Sequence, residues 1–165
     1  MAADDFDELY EARFGDVVAM AYALTGDLAE SQDLAQEAFC RAWQRWHRLT
    51  DYDDPLAWVR RVTANLAVSR WRRLTVARRR LRRERPGEVP AVGPEHVTLV
   101  AALRTLPERQ RHAVVLHHLA DLPVAEVARE LGVATGTVKS WLHRARATLA
   151  AQLADTPTGS EVNQP

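Results

Sequence analysis

Apolar residues recur along the start of the chain at the spacing of an α-helix. In FDELYEARFGDVVAMAYALTG they lie close to every 3.6 residues, at Phe6, Leu9, Tyr10, Val17, Met20, Ala21 and Leu24. The tripeptide Thr25-Gly26-Asp27 interrupts this pattern, and the loop DYDDP ends with Pro55 at the start of a further helix. No segment shows the period-two alternation of a β-strand, so we predict an all-α protein.

The helix predicted for DLAESQDLAQEAFCRAWQRW has one apolar and one polar face. Its apolar positions are Leu34, Ala35, Ala38, Phe39, Ala42 and Trp46. The opposite face is polar at i, i+3 and i+4 spacing, as in a surface helix. Because this polar face is unusually complete, we predict that it binds a protein partner through Asp33, Gln36, Glu37 and Arg41.

The segment PVAEVARELGVATGTVKSWLHRARATLA predicts a helix-turn-helix. Ala128 is small enough for two helices to cross closely, and Gly132 tolerates the positive φ of a tight turn. Val138 and Trp141 lie at the offsets where the second helix packs back on the first. Outward residues near the start of that helix, which we expect Thr135 to cap, can reach base edges in a DNA groove. The candidate DNA contacts are Thr135, Gly136, Thr137, Lys139, Ser140, His143 and Arg144. The alternative is a pair of ordinary core helices joined by a glycine turn.

Charge is unevenly distributed, although the formal net charge of the 165 residues is zero. Residues 1–55 carry thirteen Asp or Glu and four Arg, whereas residues 56–85 carry eleven Arg and one Glu. The protein has a single Lys, so almost all of its positive charge is guanidinium, which suits phosphate contact. We therefore interpret residues 56–85 as a nucleic-acid-binding segment. The alternative is a solvated helix face whose charges pair within the domain.

Proline and glycine divide the chain at PGEVPAVGP. We predict two small helical domains at 1–85 and 95–152, joined by a short flexible linker at 86–94. The segment 153–165 is predicted to be a disordered tail.

Composition excludes several classes of protein. The apolar runs are too short to span a bilayer, and the start MAADDFDE lacks the features of a secretory signal, so we expect a cytoplasmic protein without membrane insertion. A single cysteine, Cys40, excludes an internal disulfide, and the histidines lack metal-ligand spacing. Because the sequence has no Gly-rich phosphate loop, nucleophile elbow or acid pair, we expect neither an enzyme nor a bound metal or cofactor.

Three segments resemble parts of the sigma-70 family of transcription initiation factors. DLAQEAFCRAWQRW is similar to region 2.1–2.2, DPLAWVRRVTANLAVSRWRR to regions 2.3–2.4, and LRTLPERQRHAVVLHHLADLPVAEVARELGVATGTVKSWLHRARATL to region 4. Their order resembles the extracytoplasmic-function (ECF, group 4) type. The resemblance implies a σ2 domain that binds RNA polymerase core (β′ and β subunits) and melts the minus-ten promoter element. It also implies a σ4 domain that binds the minus-thirty-five element, so the predicted function is promoter-specific transcription initiation.

The resemblance also implies a minus-ten-binding face on the arginine-rich helix. Its candidate residues are Trp58, Arg61, Asn65, Ser69, Arg72 and Arg73. We expect Trp58 to stack with unpaired bases, and the tryptophans at 43, 46, 71 and 141 to belong to the core. The family usually has Asp in place of Ser69, so base preference at the minus-ten element is in doubt. It usually has Arg in place of Trp141, whose inward offset argues against a DNA contact.

Two other functions fit the same residues. One is a helix-turn-helix regulator that binds DNA without polymerase core and uses its front half as a dimerisation or sensor bundle. The other is an interaction module that sequesters a sigma-like partner. Binding to polymerase core separates these functions from the first. The promoter, the inducing signal, the oligomeric state and the existence of an anti-sigma factor as a partner stay open.

Overall fold

The structure is a computed structural model that describes residues 2–78 and 94–155. The first half contains α1 (Ala2–Thr25), α2 (Leu28–Gln44), α3 (Trp46–Leu49) and α4 (Pro55–Arg78). The second half contains α5 (Pro94–Arg104), α6 (Glu108–Val114), a π-helical turn (Val115–Leu119), α7 (Val124–Leu131) and α8 (Thr135–Asp155). No strand occurs within the two described ranges, and the prediction of an all-α fold is confirmed.

Short local signals determine where the helices of the first half end and begin. Gly26 adopts a φ of +69° directly after α1. The side chain of Asp27 then accepts a hydrogen bond from the backbone N–H of Glu30 at 2.9 Å, which makes it the N-cap of α2. Asp54 accepts a backbone N–H of the first turn of α4 at 3.0 Å. Pro55 is the first residue of that helix, as predicted.

Helices α1, α2 and α4 form the bundle of the first half. Val17, Phe39 and Val59 are fully buried in it. The ring of Phe39 lies edge-on to Tyr10 and Phe6, with centroids 5.1 and 6.2 Å apart. All the predicted apolar positions of this segment are buried, although α2 ends at Gln44 and Trp46 lies on α3. The amphipathic pattern therefore correctly identifies the inner side of the segment.

The last two turns of α1 are buried on every side. All eight residues from Val17 to Leu24 are inaccessible or nearly so. Helices α2 and α4 cover part of this surface, and the second half of the chain covers another part. Met20 and Leu24 belong to the same apolar cluster as Leu103 of α5. A helix that is apolar all round must be enclosed all round, so α1 needs both halves of the chain.

The two halves therefore share a hydrophobic cluster, in addition to the cluster within the first half. Val68 of α4 lies in the same cluster as Val127 of α7 and Val138 of α8. The sequence predicted two domains but not the packed junction between them. The period of a helix shows which of its sides is apolar, but it does not show which element covers that side.

Two predicted boundaries fall partly outside the described residues. Of the predicted linker at 86–94, only Pro94 is described, and it begins α5. Helix α8 continues to Asp155, so the first three residues of the predicted tail at 153–165 are helical, and the others lie outside the described residues. Within the described ranges, no helix has the combination of length and apolar character that crossing a membrane requires.

His112 of α6 is buried where the two halves meet. Its ring lies edge-on to Trp71 of α4, with the ring centroids 4.7 Å apart. The pKa of His112 is lowered to about 4, chiefly because burial disfavours the charged imidazolium and also because Arg111 and Arg109 add positive charge nearby. His112 is therefore neutral at physiological pH.

We predict that mild acid destabilises the folded chain through His112. A solvated histidine titrates near pH 6.5. Because the buried ring titrates at about 4, its contribution to stability is complete above pH 6.5 and is lost as the pH falls toward 4. Linkage gives a loss of about 2 kcal/mol between about pH 7.5 and pH 5. Urea unfolding at the two pH values should show this loss, and His112→Leu should remove most of it.

The exposed His143 offers a matched control. His143→Leu should keep the pH dependence of the wild-type chain. If His112→Leu keeps it in full as well, His112 is not the group responsible.

Candidate nucleic-acid and protein interfaces

Helices α7 and α8 form a helix-turn-helix. Helix α7 ends in a Schellman motif, in which Gly132 has a φ of +67° and its N–H donates to the carbonyl of Arg129 at 3.3 Å. The N–H of Val133 donates to the carbonyl of Ala128 at 3.0 Å. These backbone bonds fix the direction in which the chain enters α8, and the positive φ predicted for Gly132 is confirmed.

Helix α8 has an inward and an outward face, in the predicted phase. Val138, Leu142 and Ala145 are buried, and Trp141 is half-buried against the same core. The exposed members of the predicted DNA-binding set are Thr135, Gly136, Lys139, Ser140, His143 and Arg144, while Thr137 is half-buried. No Asp or Glu occurs in the sequence from 135 to 154. The outward face is therefore polar and positive, as contact with phosphates requires.

The start of α8 differs from the prediction by one residue. The N–H of Val138 donates to the carbonyl of Ala134 at 3.3 Å, which is the first bond of the helix. Ala134 therefore occupies the N-cap position, and Thr135 is the first helical residue rather than the cap. Alanine has no side-chain acceptor, so the polarity at this helix start comes from backbone N–H groups and the Thr135 hydroxyl.

The six predicted minus-ten residues all lie on α4. Arg61, Arg72 and Arg73 are exposed, whereas Trp58, Asn65 and Ser69 are half-buried. Trp58 packs on the core of the first half. The amide oxygen of Asn65 is buried and has no hydrogen-bond partner.

Two of these arginines contact the second half of the chain. Arg61 Nη2 donates to the backbone oxygen of Asp121 at 3.1 Å. Arg72 Nη2 lies 3.0 Å from Glu130 Oε2, in an ion pair. The sequence did not predict these contacts, because Glu130 looks like any solvated glutamate of an amphipathic helix.

Trp71 is a junction residue that sequence reasoning placed in the core. Its indole Nε1 donates to Glu108 Oε1 at 2.9 Å, and the guanidinium of Arg109 lies 5.7 Å from its ring centroid. The ring of Trp71 is half-buried, and the ring of His112 lies edge-on to it. A tryptophan flanked by arginines on a basic helix was the available signal for this role.

The predicted protein-binding face of α2 is exposed. All four of its residues are accessible: Asp33, Gln36, Glu37 and Arg41. Arg41 Nε donates to Glu37 Oε1 at 2.7 Å, and the Tyr10 hydroxyl donates to Gln36 Oε1 at 2.9 Å. Trp43, expected in the core, is 51% exposed beside them because it lies on the outer side of the helix. An exposed tryptophan next to ordered polar groups is typical of a protein interface.

Among the described residues, no group of His, Cys, Asp and Glu side chains is arranged to hold a metal ion.

Known proteins match both halves of the chain. The family described as Sigma-70 region 2 matches residues 9–85, and Sigma-70, region 4 matches residues 96–149. An RNA polymerase sigma-E factor of Streptomyces antibioticus is 32% identical over 157 residues, which cover 90% of this chain and 84% of the relative. The ECF RNA polymerase sigma factor SigE of Mycolicibacterium smegmatis is 34% identical over 165 residues, covering 93% of this chain and 63% of the relative.

A solved structure shares the fold. The sigma factor RpoE of Bartonella quintana, in complex with the anti-sigma factor NepR, aligns with a TM-score of 0.58 and 22% identity. The alignment covers 92% of this chain and 98% of that one.

The described residues are helical, with an arginine-rich helix in one half and a helix-turn-helix in the other, an arrangement typical of DNA-binding proteins of transcription. The matches to both halves specify the family: the chain belongs to the sigma-70 family of RNA polymerase sigma factors, in its ECF group.

We predict that substitutions on the inward face of α8 lower stability, whereas substitutions on its outward face weaken promoter binding. Trp141→Ala should destabilise the chain by about 1–2 kcal/mol, because it removes a half-buried aromatic ring that packs against the core. Lys139→Ala and Ser140→Ala should each change stability by less than about 0.5 kcal/mol. Either should weaken promoter binding by roughly 1–3 kcal/mol if its side chain reads a base edge. Thermal unfolding and promoter binding by the holoenzyme measure the two effects.

Thr148→Ala, further along the exposed side of α8, is the control and should leave both quantities unchanged. A fully stable Trp141→Ala chain with altered sequence preference would show that Trp141 itself contacts DNA.

Proposed function

We propose that this chain binds RNA polymerase core and directs it to promoters, with α4 at the minus-ten element and α8 at the minus-thirty-five element. The observation that carries this function is the presence of two basic helices in one chain, each within a segment that matches a sigma-70 region. A protein of this kind works where the polymerase and the chromosome are, in the cytoplasm.

A regulator that binds DNA without polymerase needs only the helix-turn-helix. The front half would then be a dimerisation or sensor bundle, but residues 9–85 match Sigma-70 region 2, so we do not favour that alternative. Run-off transcription with purified core enzyme on a library of genomic promoters tests the choice. Specific transcripts that depend on this chain support the initiation factor, and their absence together with promoter binding by the chain alone supports the regulator.

The anti-sigma factor in the Bartonella structure suggests a further partner. That protein is a sigma factor of the same fold in complex with NepR. We extend the same class of partner, an anti-sigma factor, to this chain.

The polar face of α2 is the surface that we assign to polymerase core, at a coiled coil of the β′ subunit. Its charged groups are held in place by the pair between Glu37 and Arg41, both about half exposed. Charged groups fixed in position on an exposed helix favour one partner orientation over others.

We predict that charge reversal on this face weakens core binding. Glu37→Arg or Arg41→Glu should each lower core affinity, since a like-charge contact at an interface costs on the order of a few kcal/mol. The swap Glu37→Arg/Arg41→Glu restores the ion pair within the helix but inverts the pattern shown to the partner. We expect the swapped chain to bind core as weakly as the single variants, measured by titration of labelled chain with core enzyme.

The swap separates two causes of weak binding. Recovery of wild-type affinity in the swapped chain would mean that the single variants act through helix stability. Asp155→Lys, at the end of α8, should bind core as the wild-type chain does. Unchanged affinity in both single variants would contradict the assignment of this face.

The exposed side of α4 is the surface that we assign to the minus-ten strand. Arg72 and Arg73 supply exposed guanidinium groups for phosphates. Asn65 lies half-buried on the same helix, and we assign its amide to reading a base. Phosphate contacts give affinity without sequence preference, whereas base contacts give preference.

We predict that these residues separate salt dependence from sequence preference. Arg72→Ala/Arg73→Ala should flatten the log–log salt dependence of holoenzyme binding to fork DNA by about 0.7–0.9 per lost contact. Asn65→Ala should change the preference among minus-ten variants with little change in slope. Arg144→Ala is the control on a fork that lacks the minus-thirty-five element, and its slope should equal that of the wild type. If Asn65→Ala leaves the preference for every variant unchanged, Asn65 does not read a base.

A further inference from the structure

An open groove bordered by aromatic rings lies between α1 and α2. Phe6 and Tyr10 of α1 line it, together with Phe39 and Trp43 of α2. The side chain of Phe39 is fully buried, whereas that of Trp43 is 51% exposed. The groove encloses about 380 Å³, which lies within the range of about 300–1,000 Å³ in which protein pockets hold ligands. A side chain of a partner therefore has room to enter it.

Contacts among the lining residues hold the rings in position. The ring centroids of Phe6 and Trp43 are 5.0 Å apart, and the ring of Tyr10 lies edge-on to that of Phe39 at 5.1 Å. The hydroxyl of Tyr10 donates to Gln36 Oε1 at 2.9 Å. Because these rings are ordered before a partner arrives, binding costs less conformational entropy.

The charge of the groove favours a positive group. Asp7 lies on its α1 side and is exposed, and no described residue forms an ion pair with this carboxylate. Among the described residues that line the groove there is no Lys, Arg or His. The faces of aromatic rings attract cations, and that of tryptophan does so most strongly. The groove therefore suits an ammonium or a guanidinium better than an anion.

The groove is continuous with the polar face of α2. Gln36 belongs to that face and also lines the groove, and the ion pair of Glu37 and Arg41 begins at the next residue. A protein bound on the polar face would therefore lie beside the groove. Exposed carboxylates elsewhere on α1, such as Glu8 and Glu11, add negative potential that attracts a basic partner.

We propose that the groove between α1 and α2 binds a cationic side chain, Arg or Lys, of the polymerase core. The charged group of that side chain lies over the ring of Trp43 and pairs with the carboxylate of Asp7. Helix α1 is then part of the core interface, through Phe6, Asp7 and Tyr10. This inference rests on the proposed function, since it takes the polar face of α2 to be the surface for core.

The test is titration of the labelled full-length chain with core enzyme. Trp43→Leu should lower the affinity about five- to thirtyfold, because leucine keeps an apolar side chain in the groove but has no ring face for a cation. Trp43→Phe restores a ring face and should bind within about threefold of the wild-type chain. An apolar occupant would make no such distinction between leucine and phenylalanine.

A second pair of variants tests the charge. Asp7→Asn should lower the affinity about three- to fivefold at low salt, and the loss should shrink as salt screens this exposed contact. Glu8→Gln removes the same formal charge from a residue of α1 that does not line the groove, and it should bind as the wild-type chain does. Asp7 is exposed, so this comparison does not depend on the stability of the Trp43 variants.

Two results would overturn the proposal. Wild-type affinity of Trp43→Leu would show that the groove is not part of the interface, and equal affinity of Asp7→Asn and Glu8→Gln would show that its occupant is uncharged. Glu37→Arg, titrated in the same way, separates this failure from that of the proposed function. If Glu37→Arg weakens core binding and the groove variants do not, only the groove proposal fails. If all of these variants bind core as the wild type does, the assignment of the α2 face to core fails too.

Discussion

The apolar surface of α1 between Val17 and Leu24 is the constraint on which the rest of the structure depends. It is too wide for one neighbouring bundle face, so the second half of the chain packs against the part that α2 and α4 leave open. Burial of one large apolar side chain contributes roughly 1.5–3 kcal/mol. A partly exposed ion pair such as Arg72–Glu130 contributes about 0–1 kcal/mol. Hydrophobic contact around residues such as Met20 and Leu24 therefore contributes more to holding the halves together than these polar contacts do.

At one edge of the junction between the halves, Arg104 packs beside the turn that follows α1. The guanidinium of Arg104 lies 5.6 Å from the ring centroid of Tyr22, beside the turn between α1 and α2. A Cβ at Gly26 would lie 2.5 Å from Arg104 Nη1, so a larger residue would displace the end of this arginine side chain as well as strain the turn. Local chain geometry and long-range packing meet at this one position.

Most of the secondary structure could be predicted from the sequence, because apolar spacing indicates the buried side of a helix, and Gly, Pro and capping residues mark where it begins and ends. Gly132 indicates a turn because glycine adopts a positive φ without strain, and the helical spacing of apolar residues places Val138 on the buried side of α8. The junction could not be predicted in this way. Glu130 differs from other surface glutamates only through what it contacts, and Trp43 lies outside although tryptophan is usually buried. The candidate face of α2 is exposed, whereas half of the minus-ten candidates on α4 are half-buried, and the partners of both faces remain predictions.

The net charge of the chain is zero, but its acidic and basic residues lie on different helices that face one another. Arg70 of α4 pairs with Glu30 of α2 at 3.2 Å, and Arg72 pairs with Glu130 of α7. Acidic helices on two sides thus face the basic helix between them. Net charge governs long-range attraction to nucleic acid, and screening limits it to about 8–10 Å at physiological salt. A chain that pairs its arginines internally can carry basic helices for DNA without being drawn to every phosphate backbone.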